Sequence, residues 1–373
     1  MTGIIRKKIE YLYLIPIFFC YISLANFSFQ TNTYIQFIVY PLIILLLRKN
    51  EAVLAIFASI ALIIFNLSKE ICYNNMEPII QTLKILLYII CIYIVYKNST
   101  FEKIFEAIYA LSKIAVVILI STYVIGLISE IHLLANFGYS QIRYHAFFTE
   151  PSSVAIPFSI LASICIIKRQ YIWLLATIFA TIVSLSIIAQ SLVLFSLILT
   201  LLCKLTNHRF TTLIFVTVVV VFVLLFDISM LQPIEQINER FYSGLRSIFT
   251  FGEHGYNPRV ITTIAVIDQL HYNNSFYTGL GLEINNCLSQ NFIWSYDSNI
   301  HIYIFRSFGI IGITIFWLAN LIIISFLHKS DNYFRYIMVV ITLAGVTING
   351  AQGLLYFTLF ILTLALSTKR EKR

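Results

Sequence analysis

Apolar runs long enough to cross a bilayer recur along almost the whole chain, and they leave few folds open to it. A helix that spans the hydrocarbon core needs about 20 predominantly apolar residues. Such runs lie near 11–29, 33–47, 52–68, 78–96, 107–129 and 150–167, and again near 171–187, 189–204, 210–228, 300–327, 335–350 and 353–368. The stretch 171–204 would be about 50 Å long as one straight helix, too long for a core of about 30 Å, so we divide it at Ala189-Gln190-Ser191, where polarity interrupts the run. Only 11% of the 373 residues are charged, and 59% are hydrophobic. Soluble domains carry roughly a quarter charged residues, so this composition cannot build an aqueous surface. The expected fold is all-α: one polytopic membrane domain over residues 1–373, with about 12 transmembrane helices.

The net charge of +8 raises the question of an anionic partner. A nucleic-acid binder would gather its basic residues on one polar face. Here they lie between apolar runs, which excludes that class. Short cytoplasmic loops retain lysine and arginine, so the basic residues orient the helices instead. With the N-terminus inside, the inner segments hold Arg6, Lys7 and Lys8; Arg48 and Lys49; Lys97 and Lys103; Lys168 and Arg169; Lys204 and Arg209; Lys329 and Arg335; and Lys369, Arg370, Lys372 and Arg373. That is 17 of the 25 basic residues, and it predicts both termini inside. Arg6-Lys7-Lys8 resembles the n-region of a signal peptide, but the apolar stretch after it is long and carries no small-x-small cleavage site. It reads as an uncleaved first helix.

Two external segments stand out, one at 130–151 and one at 229–299. The second is far longer than a simple connection between helices, and a long loop on a rigid scaffold commonly carries function. Within it, Pro233 to Ile248 reads as an amphipathic helix and Gly252 to Pro258 as a turn. Arg259 to His271 reads as a second short helix, entered through Asn257 as N-cap and Pro258 at the first helical position. Cys20, Cys91, Cys165 and Cys203 fall in the spans, while Cys72 and Cys287 fall outside them, where an oxidising compartment would allow a bridge but two free thiols are the simpler reading. No Cys/His spacing suggests zinc, so no metal and no cofactor is expected.

From Glu130 onward every external basic residue is arginine: Arg143, Arg240, Arg246, Arg259 and Arg306. Arginine presents a rigid fork of donors suited to phosphate, whereas lysine acts as a point charge. Five arginines against apolar helices point to a phosphorylated ligand delivered from the membrane. The plainer reading pairs them with the loop's acids, and for Arg240 and Arg246, on a charge-bearing amphipathic helix, both readings stay open. Arg306 lies about two turns into the tenth span, where a charge is costly and usually functional. Asn299, seven residues earlier, shares its helix face, while His301 points well away from it. At the mouth of the sixth span, Arg143, His145 and Glu150 place a cation, an imidazole and a carboxylate close together. Glu150 before Pro151 also fits a plain helix start. Lys84 and Lys113 fall within spans, where snorkelling or pairing would accommodate them.

The segment Arg143…Phe148-Thr149-Glu150-Pro151 resembles the R-x-x-G-x-x-x-E-P element of bacterial O-antigen polymerases of the Wzy type. Asn257-Pro258-Arg259 followed by Thr278-Gly279-Leu280-Gly281-Leu282 is similar to the large-loop pattern of that superfamily. Ser298-Asn299-Ile300-His301…Phe308-Gly309-Ile310-Ile311-Gly312 resembles its H-N-x-x-L…G-I-I-G helix start, shared with O-antigen ligases. The chain departs from the pattern at Ala146, where glycine is usual, and at Ser298, where histidine is usual. His301 follows one helical turn later. The missing histidine leans away from the ligase.

The resemblance implies glycosyl transfer at the periplasmic face of the bacterial inner membrane, from a glycan on undecaprenyl pyrophosphate to a sugar hydroxyl of another lipid-linked repeat unit. Under that reading Arg143, Arg259 and Arg306 neutralise the pyrophosphate, and Glu150 or His301 accepts the hydroxyl proton. Arg259, Glu150 and His301 are then the catalytic candidates. His145, Arg240, Arg246 and Asn299 join Arg143 and Arg306 as substrate contacts. The implied partners are the undecaprenyl-pyrophosphate-linked oligosaccharide, membrane lipid and a chain-length regulator, with no nucleic acid. The rivals are the ligase, which moves finished glycan onto lipid A core, and a flippase or other transporter. A transporter would concentrate ionisable groups near the midplane of several helices, whereas here only Lys84, Lys113 and Arg306 fall clearly within spans.

Overall fold

The computed structural model describes residues 99–138, 141–146, 151–205, 266–281, 300–328 and 333–348, together with isolated positions within 93–97 and 362–367. The apolar runs near 11–29, 33–47, 52–68 and 210–228 and most of those near 78–96 and 353–368 lie outside the described residues, as do Lys84, Cys72, Cys287, Asn257 and Pro258.

Helix α1, Phe101–Ser129, is 29 residues long. Thr100 caps its start by accepting a hydrogen bond from the Lys103 N–H, with Glu102 in the first turn where the helix dipole favours a carboxylate. It ends where Glu130 turns into the left-handed region, its N–H donating to the Gly126 carbonyl. At 1.5 Å per residue the helix is about 43 Å long, so it overruns a bilayer core of about 30 Å.

A hairpin follows, with β1 (Ala135–Gly138) antiparallel to β2 (Gln141–Tyr144) and Asn136 opposite Arg143. The all-α expectation had no place for these strands, because four-residue pairings in a polar loop carry no usable periodicity. The sixth span begins as a 3-10 turn at Pro151–Val154 and continues as α2, Ala155–Ile167. Helix α3 covers Tyr171–Val183 and α4 covers Ile187–Leu205.

The break between α3 and α4 falls at Ser184-Leu185-Ser186, not at Ala189-Gln190-Ser191, and the reason is local. The Ser184 hydroxyl donates to the Thr181 carbonyl at 2.7 Å, Leu185 takes a left-handed φ of 49°, and the Ser186 hydroxyl accepts from the Ala189 N–H to cap α4. Serine hydroxyls that compete for backbone groups end the helix earlier than side-chain polarity alone suggests. Gln190 sits inside α4 with its N–H on the Ser186 carbonyl.

Helix α2 is the centre of the described bundle. From Ala155 to Ile166 every residue is buried, and α1, α3, α4 and α6 (Tyr333–Ile348) pack around it. Small and hydroxyl residues allow the close approach that helices in lipid depend on, since apolar burial gives them little drive. Thr200 of α4 donates to the Ser163 hydroxyl of α2 at 2.9 Å, and Gly345 of α6 lies so near Ile156 and Leu192 that a side chain there would collide with them. At the other end of α6, Arg335 forms an ion pair with Glu102 at 2.8 Å and lies over the Phe101 ring. Charge distribution assigned both segments to one side of the membrane, and this contact puts them at one end of the bundle.

The structure is mostly helical, and among the described residues three helices are long and apolar enough to cross a membrane: Phe101–Ser129, Ile188–Leu205 and Ile304–Ile324. The last lies within α5, Ile300–His328, which is not a straight rod. Gly309 has φ 66° and ψ −161°, outside helical geometry. His301 and Trp317, which a continuous helix would set about 24 Å apart, stack at 5.3 Å between ring centroids. The nine residues before Gly309 and the nineteen after it are therefore two helical arms folded toward each other. The tenth span, read as one helix, is corrected accordingly. Its longer arm is about 28 Å, still close to the core thickness.

Candidate functional site

The fold in α5 is made by another part of the chain. In an unbroken helix the Ile310 N–H would bond the Arg306 carbonyl, and the Ile311 N–H the Ser307 carbonyl. Here residues 275–281 take all four of those partners. Leu280 N–H donates to Arg306 O at 2.7 Å and Gly281 N–H to Ser307 O at 3.1 Å. Ile310 N–H donates to Phe276 O at 3.0 Å, and Ile311 N–H to Tyr277 O at 3.3 Å. The two broken helical bonds are replaced by four bonds to the loop, which meets the requirement that backbone groups away from water be satisfied.

This exchange needs two glycines. Gly279 has φ 73°, and a side chain on it would overlap the backbone of Ser307 and Phe308. A side chain on Gly309 would overlap the backbone of Phe276 and Tyr277. Each glycine faces the other segment's main chain. Residues 266–272 form the helical turn that presents this loop, and Val266, Leu270 and Leu280 close a small apolar cluster with Phe276, Ile302 and Phe305.

Two of the sequence-predicted site residues ride on this unit. Arg306 is 1% exposed, in the last turn of the first arm, where a helix C-terminus favours a cation. His301 is held flat against Trp317, with Phe316 at its edge, and its buried Nδ1 has no hydrogen-bond partner among the described residues. It faces the second arm. Beside Arg306, the fully buried Ser307 hydroxyl also has no partner. Asn320 donates to the Phe316 carbonyl and leaves its buried Oδ1 unbonded. A buried polar atom left without a partner costs about 1–3 kcal/mol, so three on one folded helix mark it as more than a packing element.

Arg143 and His145 belong to the hairpin. Tyr144 is buried against α1, edge-on to Tyr123 at 5.5 Å between ring centroids, with its hydroxyl 2.7 Å from His132 Nδ1. Burial first, and the neighbouring Tyr123 second, push the Tyr144 phenol above its ordinary pKa, so it stays protonated and can donate to His132. Alternation along the strand sends Arg143 to the opposite face from Tyr144. His145 is fully buried just beyond the strand, its N–H on the Leu134 carbonyl. Ala146 follows with φ 55°, a left-handed conformation that glycine adopts freely.

Glu150, Arg240, Arg246, Arg259 and Asn299 lie outside the described residues. Sequence reading missed His132, Tyr144, Ser307 and Asn320. The first two were legible only as neighbours of Arg143, and the others looked like ordinary polar residues in apolar runs. Among the described residues no group of His, Cys, Asp and Glu could hold a metal ion. Comparison of the chain with known protein families, with curated proteins and with solved structures returns no match. The described residues form a mostly helical structure with apolar helices long enough to cross a membrane and a loop-stapled broken helix around a buried arginine.

Proposed function

We propose that the chain is an O-antigen polymerase, a glycosyltransferase that joins undecaprenyl-pyrophosphate-linked oligosaccharide repeat units at the periplasmic face of the bacterial inner membrane. The observation that carries this reading is the union of two segments of the resemblance. Gly279-Leu280-Gly281 and Arg306 to Ile311 are far apart in sequence, yet they form one unit whose glycines serve each other and whose arginine is buried.

In the reaction, the acceptor hydroxyl oxygen bonds to the anomeric carbon of the donor glycan as its bond to pyrophosphate breaks. Undecaprenyl pyrophosphate departs with that electron pair, and the hydroxyl proton passes to a base. The leaving group carries the developing charge, so preorganised cations are the main requirement. Arg306, Arg143 and Arg259 meet it. His301, whose buried Nδ1 is unbonded, or Glu150 takes the proton. His145, Arg240, Arg246 and Asn299 contact the substrate.

The test is to delete the gene and run the surface lipopolysaccharide on a gel. The polymerase reading predicts core bearing one repeat unit. Core with no repeat would replace it with the ligase or flippase reading, and an unchanged ladder would end it. Arg259→Ala at normal protein level should reproduce the single-repeat pattern.

A further inference from the structure

A second set of cations lies where α1 meets the turn between α2 and α3, and the site proposed above uses none of them. Lys113 of α1 is half-buried. Its ammonium lies 4.3 Å from the centre of the Tyr109 ring and 4.7 Å from that of Trp173, and it donates to Gln170 Oε1 at 3.1 Å. Lys168, on the turn between α2 and α3, places its ammonium 5.1 Å from the centre of the same Tyr109 ring. The Tyr109 hydroxyl donates to Gln170 as well. Arg169 follows on the turn, exposed.

Among the described residues no carboxylate pairs with any of these three cations, and Glu106, two turns earlier on α1, makes no ion pair with Lys113. Two ammonium groups over one ring lie within about 10 Å, the screening length at 0.1 M salt, so they repel unless an anion joins them. Aromatic faces and one amide oxygen offset part of that repulsion and supply no negative charge.

What leads away from the cluster decides the kind of anion. α3 exposes Ile172, Leu175, Phe179 and Ile182, one apolar stripe at helical spacing. α1 exposes Ile114, Val117, Val124 and Ile128 in the same way. The two helices pack together, Lys113 on Trp173 at one level and Tyr123 edge-on to Phe179 further along. A cationic, aromatic-framed head therefore tops two adjacent apolar tracks, and free phosphate would use only the head.

We propose that Lys113, Lys168 and Arg169 bind the headgroup phosphate of an anionic phospholipid, whose acyl chains lie along the exposed faces of α1 and α3. Tyr109 and Trp173 fix the two lysines toward the headgroup, and Gln170 orders Lys113. The site is independent of the glycosyl-transfer reading and would hold if that reading failed.

The test is native mass spectrometry of the full chain in detergent, titrated with phosphatidylglycerol or phosphatidylcholine. The wild type should retain phosphatidylglycerol preferentially, and a Lys113→Gln/Lys168→Gln double variant should lose about thirtyfold in apparent affinity, at roughly fivefold for each basic residue. A Lys113→Arg/Lys168→Arg variant keeps the charge and should keep the preference, which separates lost binding from lost folding. Inorganic phosphate at millimolar concentration should compete weakly. Equal retention of the two lipids by the wild type would overturn the proposal, as would undiminished phosphatidylglycerol binding by the glutamine variant. Full displacement by phosphate would show an anion site without a lipid component.

Discussion

Helices α2 and α5 are both apolar, yet they handle their polar groups in opposite ways. α2 runs unbroken from Ala155 to Ile167 without a charge, and its Ser159 hydroxyl returns to the Ala155 carbonyl of its own helix. α5 gives up two helical hydrogen bonds at Gly309, lends those groups to the loop 275–281, and carries Arg306 and the unbonded Ser307 and His301 atoms. The contrast separates a helix built to be packed around from one whose stored cost has to be offset by use. Strained and unsatisfied groups persist where the surroundings over-determine them, and such places cluster at functional sites.

The sharpest way to break that contrast is at the two glycines. Gly309→Ala and Gly279→Ala each put a methyl group into opposing backbone at a positive φ. Each should cost more than about 3 kcal/mol, seen as loss of folded protein or a large fall in thermal unfolding temperature. Wild-type stability from either variant would mean that loop and helix are not stapled as described. By contrast, Gly345→Ala in α6 meets side chains of Ile156 and Leu192 that can shift, and should cost less.

Arg306 comes next. Under the proposed polymerase reading, Arg306→Met should remove polymerisation, read as core with a single repeat, and Arg306→Lys should lower chain extension by about tenfold or more, because an ammonium cannot reproduce the planar fork. A full ladder from the methionine variant would reduce Arg306 to a structural cation. A smaller effect is expected at Ala146, where φ is 55°. Ala146→Gly should stabilise the protein by about 1 kcal/mol, since a left-handed residue with a Cβ costs roughly 1–2 kcal/mol and glycine's extra chain entropy returns part of the gain. Least of all, Thr200→Val removes one hydroxyl bond between α4 and α2 and should cost about 0.6 kcal/mol, the usual worth of such bonds in membrane helices.

Hydropathy located the helices of the described region, with ends up to six residues off at α1, because the need for a continuous apolar run is written into every position. It missed what depends on backbone geometry. The hairpin at 135–144 is too short for its alternation to show, and the α3–α4 break was set by Ser184 and Ser186 bonding their neighbours, not by the polarity of Gln190. In α5, Gly309 in an apolar run looks like any helical glycine. Nothing local signals that residues 275–281, thirty positions upstream, will take its neighbours' hydrogen bonds. Among the site residues, Arg306 was legible because a charge in an apolar run is conspicuous. Ser307 and Asn320 were not, since serine and asparagine in such runs usually bond their own helix.

Everything assigned to α5 rests on its being folded at Gly309 by the loop. The most direct measurement is the distance between spin labels on a chain carrying His301→Cys and Trp317→Cys, with the six native cysteines replaced. A folded helix brings the two positions together, as the ring stacking at 5.3 Å requires, and gives a separation well short of the about 24 Å of a continuous helix. A distribution centred near 24 Å would mean an unbroken span, and the stapled site would not exist.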